Sequence, residues 1–194
     1  MFTGLVEDIV EVKDIEEAGE GRRVLLESHE VFDDNKVGAS ISVSGACLTI
    51  EEFKDNGVIF FLAEETLEKT WFSELVEGNQ LNIEDSLTPT DKMGGHYVQG
   101  HVDTTAEVLE IEELEEGWNI SFSIPEEIDQ YIVQKGFISV EGISLTVAEL
   151  DEESFTVTII PETWNTTNLS EKEVGEKVNL EADIMAKYAE KRER

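Results

Sequence analysis

Two short stretches each set a small nucleophilic side chain two residues from a hydroxyl. Gly45-Ala46-Cys47-Leu48-Thr49 and Gly142-Ile143-Ser144-Leu145-Thr146 share the pattern Gly-x-Cys/Ser-Leu-Thr. In an extended strand, residues two apart share a face, so Cys47 stands beside Thr49 and Ser144 beside Thr146. A thiol or hydroxyl so placed is a candidate nucleophile. Taken alone, Cys47 equally fits a small buried core residue. A Glu-Thr pair recurs at Glu65-Thr66 and Glu162-Thr163, either as a helix cap or as a polar anchor for a hydroxylated ligand. Two of the three histidines, His96 and His101, fall in Gly94-Gly95-His96-Tyr97-Val98-Gln99-Gly100-His101-Val102-Asp103. An imidazole titrates near neutral pH and suits proton transfer, although either histidine could be structural. No metal site is expected: no cysteine is near, and the spacing suits neither a helix face nor a hairpin pair. The glycines would let backbone approach a flat ligand closely. His29 falls in a surface loop and is given no role. Dinucleotide fingerprints, phosphate-cradling loops, nucleophile elbows and HExxH motifs are absent from the sequence.

The elements that must position these residues come in two copies. Residues 41–50 read ISVSGACLTI and residues 138–147 read ISVEGISLTV, identical at six of ten positions at an offset of 97. The same offset aligns Gly78 with Gly175, Asn82 with Asn179 and Glu84 with Glu181. Upstream the offset is 96, aligning Gly4 with Gly100, Val6 with Val102, Val12 with Val108 and Gly21 with Gly117. The period is too long for a solenoid, so the chain reads as two similar domains. Two copies of one site, facing each other, would allow a reaction between two molecules of one ligand.

Each copy reads as β-structure. Strands are expected at 24–27, 39–44, 48–53, 57–63 and 80–84, and at 120–124, 136–140, 145–150, 154–160 and 177–181, with tight turns at 54–57 and 151–154. Short helical pieces follow Glu65 and Glu162, and 28–35 and 125–133 each hold a short helix or loop. So many short strands in a small domain bury their apolar faces best as a closed barrel. Residues 87–95 read as a linker. The tail departs from the repeat and reads as a helix with Ile184, Met185 and Tyr188 on one side and four of the chain's 14 cations within 187–194. It would be either a frayed end or an oligomerisation helix.

Composition bounds the function further. Among 194 residues, 45 are Asp or Glu and 14 are Lys or Arg, a formal net charge of −31. Such a chain repels phosphate backbones and anionic membranes, so neither nucleic acid nor membrane is expected as a partner. The scattered acids fit a solvation device for high salt, where screening removes most self-repulsion. With 40% hydrophobic residues the chain still has a core to bury. Cys47 is the only cysteine, which excludes an intrachain disulfide and fits a reducing cytoplasm. The N-terminus does not read as a signal peptide, and no apolar run suits a membrane span.

Together, MFTGLVE, GASISVSGACLTI, GGHYVQGHVD, KGFISVEGISLTV, IIPETWNTTNL and VGEKVNLEADIMAKY resemble the riboflavin synthase family of α-type chains, over essentially the whole sequence and in order. The resemblance implies an all-β fold of two tandem six-stranded antiparallel Greek-key barrels, at residues 1–92 and 93–183, with a C-terminal helix at 184–194. It implies dismutation of two molecules of 6,7-dimethyl-8-ribityllumazine by four-carbon transfer, giving riboflavin and 5-amino-6-ribitylaminouracil, with no cofactor and no metal. It implies a homotrimer joined through the C-terminal helices, with a catalytic pocket between the first barrel of one subunit and the second barrel of its neighbour. Carried over by motif, the first-barrel pocket comprises Gly4, Leu5, Val6, Ser40, Cys47, Leu48, Thr49, Phe61, Leu62, Ala63, Glu64, Glu65 and Thr66. The second comprises Gly100, His101, Val102, Lys135, Ser144, Leu145, Thr146, Thr158, Ile159, Ile160, Pro161, Glu162 and Thr163. The implied catalytic set is Cys47, His96, His101, Glu141, Ser144 and Asp183, with Phe2 close by. The chain departs from the family at Glu141, where Asp is most frequent, and at the equivalent Ser44, where Asn is frequent. Antenna-type proteins that bind lumazine or flavin without turnover share the fold. Both halves here keep the Leu-Thr and Glu-Thr motifs, which favours an enzyme.

Overall fold

Runs of β-branched and aromatic residues, broken by Gly, Asn and Asp, fold into two closed barrels, as the computed structural model shows for residues 1–193. Arg194, the last residue of the expected C-terminal helix, lies outside the described residues. Strands β1 (Asp8–Ala18), β2 (Gly21–Glu27), β3 (Ser40–Val43), β4 (Ala46–Lys54), β5 (Gly57–Leu62) and β6 (Gln80–Asp85) close in the order β1-β2-β5-β4-β3-β6. Strands β7 (Thr104–Leu114), β8 (Gly117–Ser123), β9 (Phe137–Val140), β10 (Ile143–Leu150), β11 (Ser154–Ile159) and β12 (Lys177–Ala182) repeat that order. Helix α1 (Glu64–Lys69) follows β5, α2 (Pro161–Thr166) follows β11, and α3 (Ile184–Glu193) ends the chain.

The first strand of each barrel, β1 and β7, is absent from the strands expected above. In β1 only Val10 and Val12 are buried, and the rest is largely acidic. A register shift between Val12 and Asp14 then breaks the alternation that marks a strand in sequence, and the same irregularity falls between Val108 and Glu110 in β7. Barrel closure against β6 and β12 makes these segments strands.

Each barrel is filled by its own core. Phe32, Phe60, Phe72 and Leu81 are buried in the first, and Phe122, Phe155, Leu169 and Leu180 in the second. Full burial of one such side chain stabilises by about 1.5–3 kcal/mol relative to exposure.

The barrels meet back to back at two hairpin turns. Ser44-Gly45 joins β3 to β4 and Glu141-Gly142 joins β9 to β10, all four residues at positive φ. A Cβ on Gly142 would lie 2.7 Å from Gly45 N, and one on Gly45 would lie 2.8 Å from Gly142 N. Only glycine satisfies both the backbone conformation and this contact. Asp and Asn tolerate the left-handed region better than most residues, so Ser44 at φ 40 and Glu141 at φ 51 hold a conformation that suits their own types less well.

Candidate active site

The segments leading into the two barrels are exchanged. Thr3 and Gly4 are gripped by Glu84 on β6 of the first barrel: the carboxylate accepts from Thr3 N at 2.6 Å, Thr3 Oγ1 at 2.7 Å and Gly4 N at 3.0 Å. The Gly4 carbonyl then accepts from Ser144 N at 2.7 Å, on the second barrel, and the Val6 side chain packs on the second core. The mirror arrangement holds downstream. Glu181 on β12 accepts from Gln99 N at 2.8 Å and from Gly100 N and His101 N, both at 2.9 Å. The Gly100 carbonyl accepts from Cys47 N at 2.8 Å, on the first barrel, and Val102 packs on the first core. The two lead-ins pair with each other through Phe2 and Val98, at 2.8 and 3.2 Å.

This corrects the grouping that the resemblance implied. Gly4, Leu5 and Val6 belong with Ser144 on the second barrel, and Gly100, His101 and Val102 with Cys47 on the first. The repeat aligns Gly4 with Gly100 but does not say which copy each one touches. Both glycines have positive φ, and a Cβ on them would lie 2.6 Å from Ser144 Cβ and 2.5 Å from Cys47 Cβ respectively. The glycine pair of the linker serves a similar purpose. Beside Gly94 and Gly95 stand Leu5, the Thr3 carbonyl and Ser144, so the close approach is to the chain's own N-terminal segment and to Ser144 on β10.

On the first barrel, Cys47, Ala63, Glu65, Thr66, Lys69, Gly100, His101 and Val102 line a cleft of about 450 Å³. It continues past Cys47, Ala63 and Thr66 into a neighbouring space walled by Arg23, Leu48, Thr49, Glu51 and Phe61. Ser40 stands opposite Thr49 in the β3–β4 ladder. Glu64 is exposed at the start of α1. Arg23 donates to both Glu51 oxygens at 2.8 Å and lies 5.7 Å from the Phe61 ring centroid. Thr66 is not a helix cap: α1 is preceded by Ala63 without a side-chain cap, and α2 likewise by Ile160. The capping alternative for both Glu-Thr pairs therefore falls.

On the second barrel, His96 Nδ1 lies 2.7 Å from Ser144 Oγ, and the imidazole stacks on Phe137 at 5.1 Å with the planes 6° apart. Burial pushes the His96 pKa below its ordinary value, while the negative charge of Asp183 opposes that shift. A neutral imidazole hydrogen-bonded to a hydroxyl is an acid/base pair able to take or return a proton. Asp183 also accepts from Met185 N at 2.9 Å, so it caps α3. Thr146 is exposed on the Ser144 face, Thr158 donates to Asn119 at 2.9 Å, and Ile160, Pro161 and Glu162 are exposed with Thr163 half-buried beside them. Lys135, at φ 66, donates to the Ala148 carbonyl.

The structure thus brings Cys47 together with His101, and Ser144 with His96 and Asp183. It does not bring Glu141 to either group. Glu141 is fully buried between the barrels, its carboxylate accepting from Asn179 N at 2.6 Å, Trp71 Nε1 at 2.7 Å and Asn168 Nδ2 at 2.9 Å. Phe2 is also fully buried, and Leu48, Leu62, Leu145 and Ile159 turn their side chains into the cores. Sequence reasoning missed Phe137, Arg23 and Trp71. Phe137 was within reach, since the 97-residue offset pairs it with Ser40. Arg23 and Trp71 carry no such signal, because their repeat equivalents, Asn119 and Asn168, are chemically different.

The chain matches the family model described as a lumazine binding domain twice, over residues 3–86 and 99–183. It is 38% identical over 190 residues to a riboflavin synthase of Actinobacillus pleuropneumoniae, covering 98% of this chain and 88% of that protein. It is 39% identical over 185 residues to a riboflavin synthase of Escherichia coli (strain K12), covering 94% and 87%. Among solved structures, LumP complexed with riboflavin superposes with a TM-score of 0.88 at 24% identity, covering 94% of this chain and 99% of that one, a likeness of fold.

Proposed function

The chain belongs to the riboflavin synthase family, and on that premise we propose that it converts two molecules of 6,7-dimethyl-8-ribityllumazine into riboflavin and 5-amino-6-ribitylaminouracil. One observation carries the reading: the chain holds two equivalent sites with unequal chemistry, Cys47 with His101 and Ser144 with His96. A dismutation needs that inequality, because one molecule gives up four carbons and the other receives them. The donor-forming step removes a proton from the 7-methyl group, and the anion delocalises into the ring. A histidine suits that transfer. Cys47 or Ser144, or a water that either one orients, adds to the acceptor ring. Thr49, Thr66, Thr146 and Thr163 offer hydroxyls to the ribityl chains. Holding two rings in fixed orientation supplies much of the rate.

The reaction requires the two rings face to face, so we place the working chamber between the first barrel of one subunit and the second barrel of the next, in a homotrimer. Met185 and Tyr188 on α3 are 62% and 63% exposed, an apolar surface consistent with association through that helix. The net charge of −31 supports a protein of a salt-adapted organism, most stable in molar salt. The single thiol is consistent with a cytoplasmic setting. No helix among the described residues is long and apolar enough to cross a membrane.

The test is incubation of the purified protein with 6,7-dimethyl-8-ribityllumazine in molar KCl. One riboflavin formed for every two lumazines consumed is the expected result. Tight binding without turnover would replace this reading with an antenna-type protein.

A further inference from the structure

The repeat aligns Glu84 with Glu181, and neither has a place in the chemistry above. Both are buried carboxylates, 5% and 2% exposed, on the last strand of their barrel. Among the described residues neither has an arginine or lysine as hydrogen-bond partner, though the Lys187 charge acts on Glu181. Each instead gathers N–H groups from a lead-in segment that crosses to the other barrel. Glu181 takes three consecutive backbone N–H groups, Gln99, Gly100 and His101. That is a ready-made anion nest, here filled by the chain's own side chain. The residues it grips are the ones that close the Cys47 cleft: the Gly100 carbonyl holds Cys47 N, and His101 lines the cleft wall. Glu84 does the same for Thr3 and Gly4, and the Gly4 carbonyl holds Ser144 N.

We propose that Glu181 is a positioning residue for the Cys47–His101 cleft and Glu84 a positioning residue for the Ser144–His96 site, each acting across the barrel boundary. Glu181 therefore sits on the second barrel but tunes the first-barrel cleft, and Glu84 the reverse. The proposal rests on the functional reading only for its effect on turnover; the geometry of the grip is independent of it.

A glutamine at position 181 supplies one acceptor oxygen. If that oxygen keeps Gly100 N and His101 N, the amide nitrogen faces Gln99 N, donor against donor, and the segment must shift. Cys47 is the chain's only thiol, so its alkylation rate reports the first cleft alone. The imidazole titration of His96, followed by NMR, reports the second site alone. Glu181→Gln is expected to speed Cys47 modification by at least about fivefold through local opening and to leave the His96 titration in place. Glu84→Gln is expected to move the His96 titration and leave the Cys47 rate within about twofold. In Glu181→Gln, kcat for riboflavin formation should fall about 10- to 100-fold with KM within about threefold, the cost of misplacing a wall group by a fraction of an ångström to an ångström. Glu181→Asp keeps the charge and should recover part of the loss. Equal effects of both glutamine variants on Cys47, or none from Glu181→Gln, would overturn the proposal. So would failure of both Glu181→Gln and Glu181→Asp to fold, since the residue would then serve stability alone. The thiol and NMR readouts need no turnover, so they test the grip even in a chain that makes no riboflavin.

Discussion

Replacing Glu141 by glutamine keeps the volume and removes one acceptor from a closed hydrogen-bond network. One Glu141 oxygen accepts from Trp71 Nε1 at 2.7 Å and Asn179 N at 2.6 Å, and the other from Asn168 Nδ2 at 2.9 Å. A glutamine oxygen placed on the first pair leaves the amide nitrogen facing the Asn168 amide nitrogen. Asn168 cannot turn over to relieve this, because its Oδ1 accepts from Asn82 Nδ2 at 2.9 Å. Asn82 cannot turn either: its Oδ1 accepts from Asn168 N at 2.7 Å, and its Nδ2 also donates to the Glu141 carbonyl at 2.9 Å. Asn168 Nδ2 keeps the Gln80 carbonyl at 3.2 Å and Ser44 Oγ at 3.3 Å, so the stranded donor is the glutamine's own amide, costing about 1–3 kcal/mol, and the surviving bonds weaken from charged to neutral. A neutral amide is cheaper to bury than a carboxylate, which offsets part of this. The net destabilisation should be about 2–3 kcal/mol, lowering Tm by roughly 4–12 °C for a chain of this size. Thermal melts at one protein and salt concentration measure it, because the proposed self-association would make Tm concentration-dependent. Trp71→Phe in the same background should couple to it by about 0.5–3 kcal/mol, since the indole N–H shares its acceptor. An unchanged or raised Tm in Glu141→Gln would show that carboxylate desolvation outweighs the network, and the reasoning would fall.

Three further outcomes follow from the same contacts. His96 has a folded-state pKa below its unfolded value, so the unfolded chain binds the extra proton between the two; stability from this site rises with pH through that window and is lost as pH falls through it. A His96→Gln variant should therefore show a flatter Tm-versus-pH curve below about pH 6.5 than the parent, and parallel curves would contradict the burial argument. Gly142→Ala places a Cβ 2.7 Å from Gly45 N at φ +81, and should cost roughly 2–5 kcal/mol by chemical denaturation; a neutral effect would mean the paired turns are loosely packed. Lys187 Nζ lies 2.6 Å from Asp103 Oδ2 and ties α3 to the entry of β7, so Lys187→Met should raise amide exchange in α3 and weaken the proposed trimer in light scattering, whereas Lys191→Met, which lies in the exposed last turn, should do neither.

The sequence alone carried the duplication, the strands after the first in each barrel, the hairpin turns and the closed-barrel architecture. These follow from local signals: β-branched runs, Gly and Asn breakers, and an offset that holds its register. It also carried the candidate residues, because Cys47 is the only cysteine, Ser144 is its repeat equivalent, and His96 and His101 are two of three histidines, set in a glycine-rich frame. Three things depended on the tertiary structure. Strands β1 and β7 are acidic and bulged, so only pairing with β6 and β12 on barrel closure makes them strands. The family resemblance implied a catalytic role for Glu141, and only the back-to-back contact of two turns shows it to be the acceptor for Trp71 and Asn168. The exchange of lead-in segments is the deepest case. Gly4 and Gly100 have matching neighbours and matching glutamate grips, so a sequence is equally consistent with each docking on its own barrel or on the other. The packing of Val6 on the second core and Val102 on the first decides it, and with it which histidine meets which nucleophile.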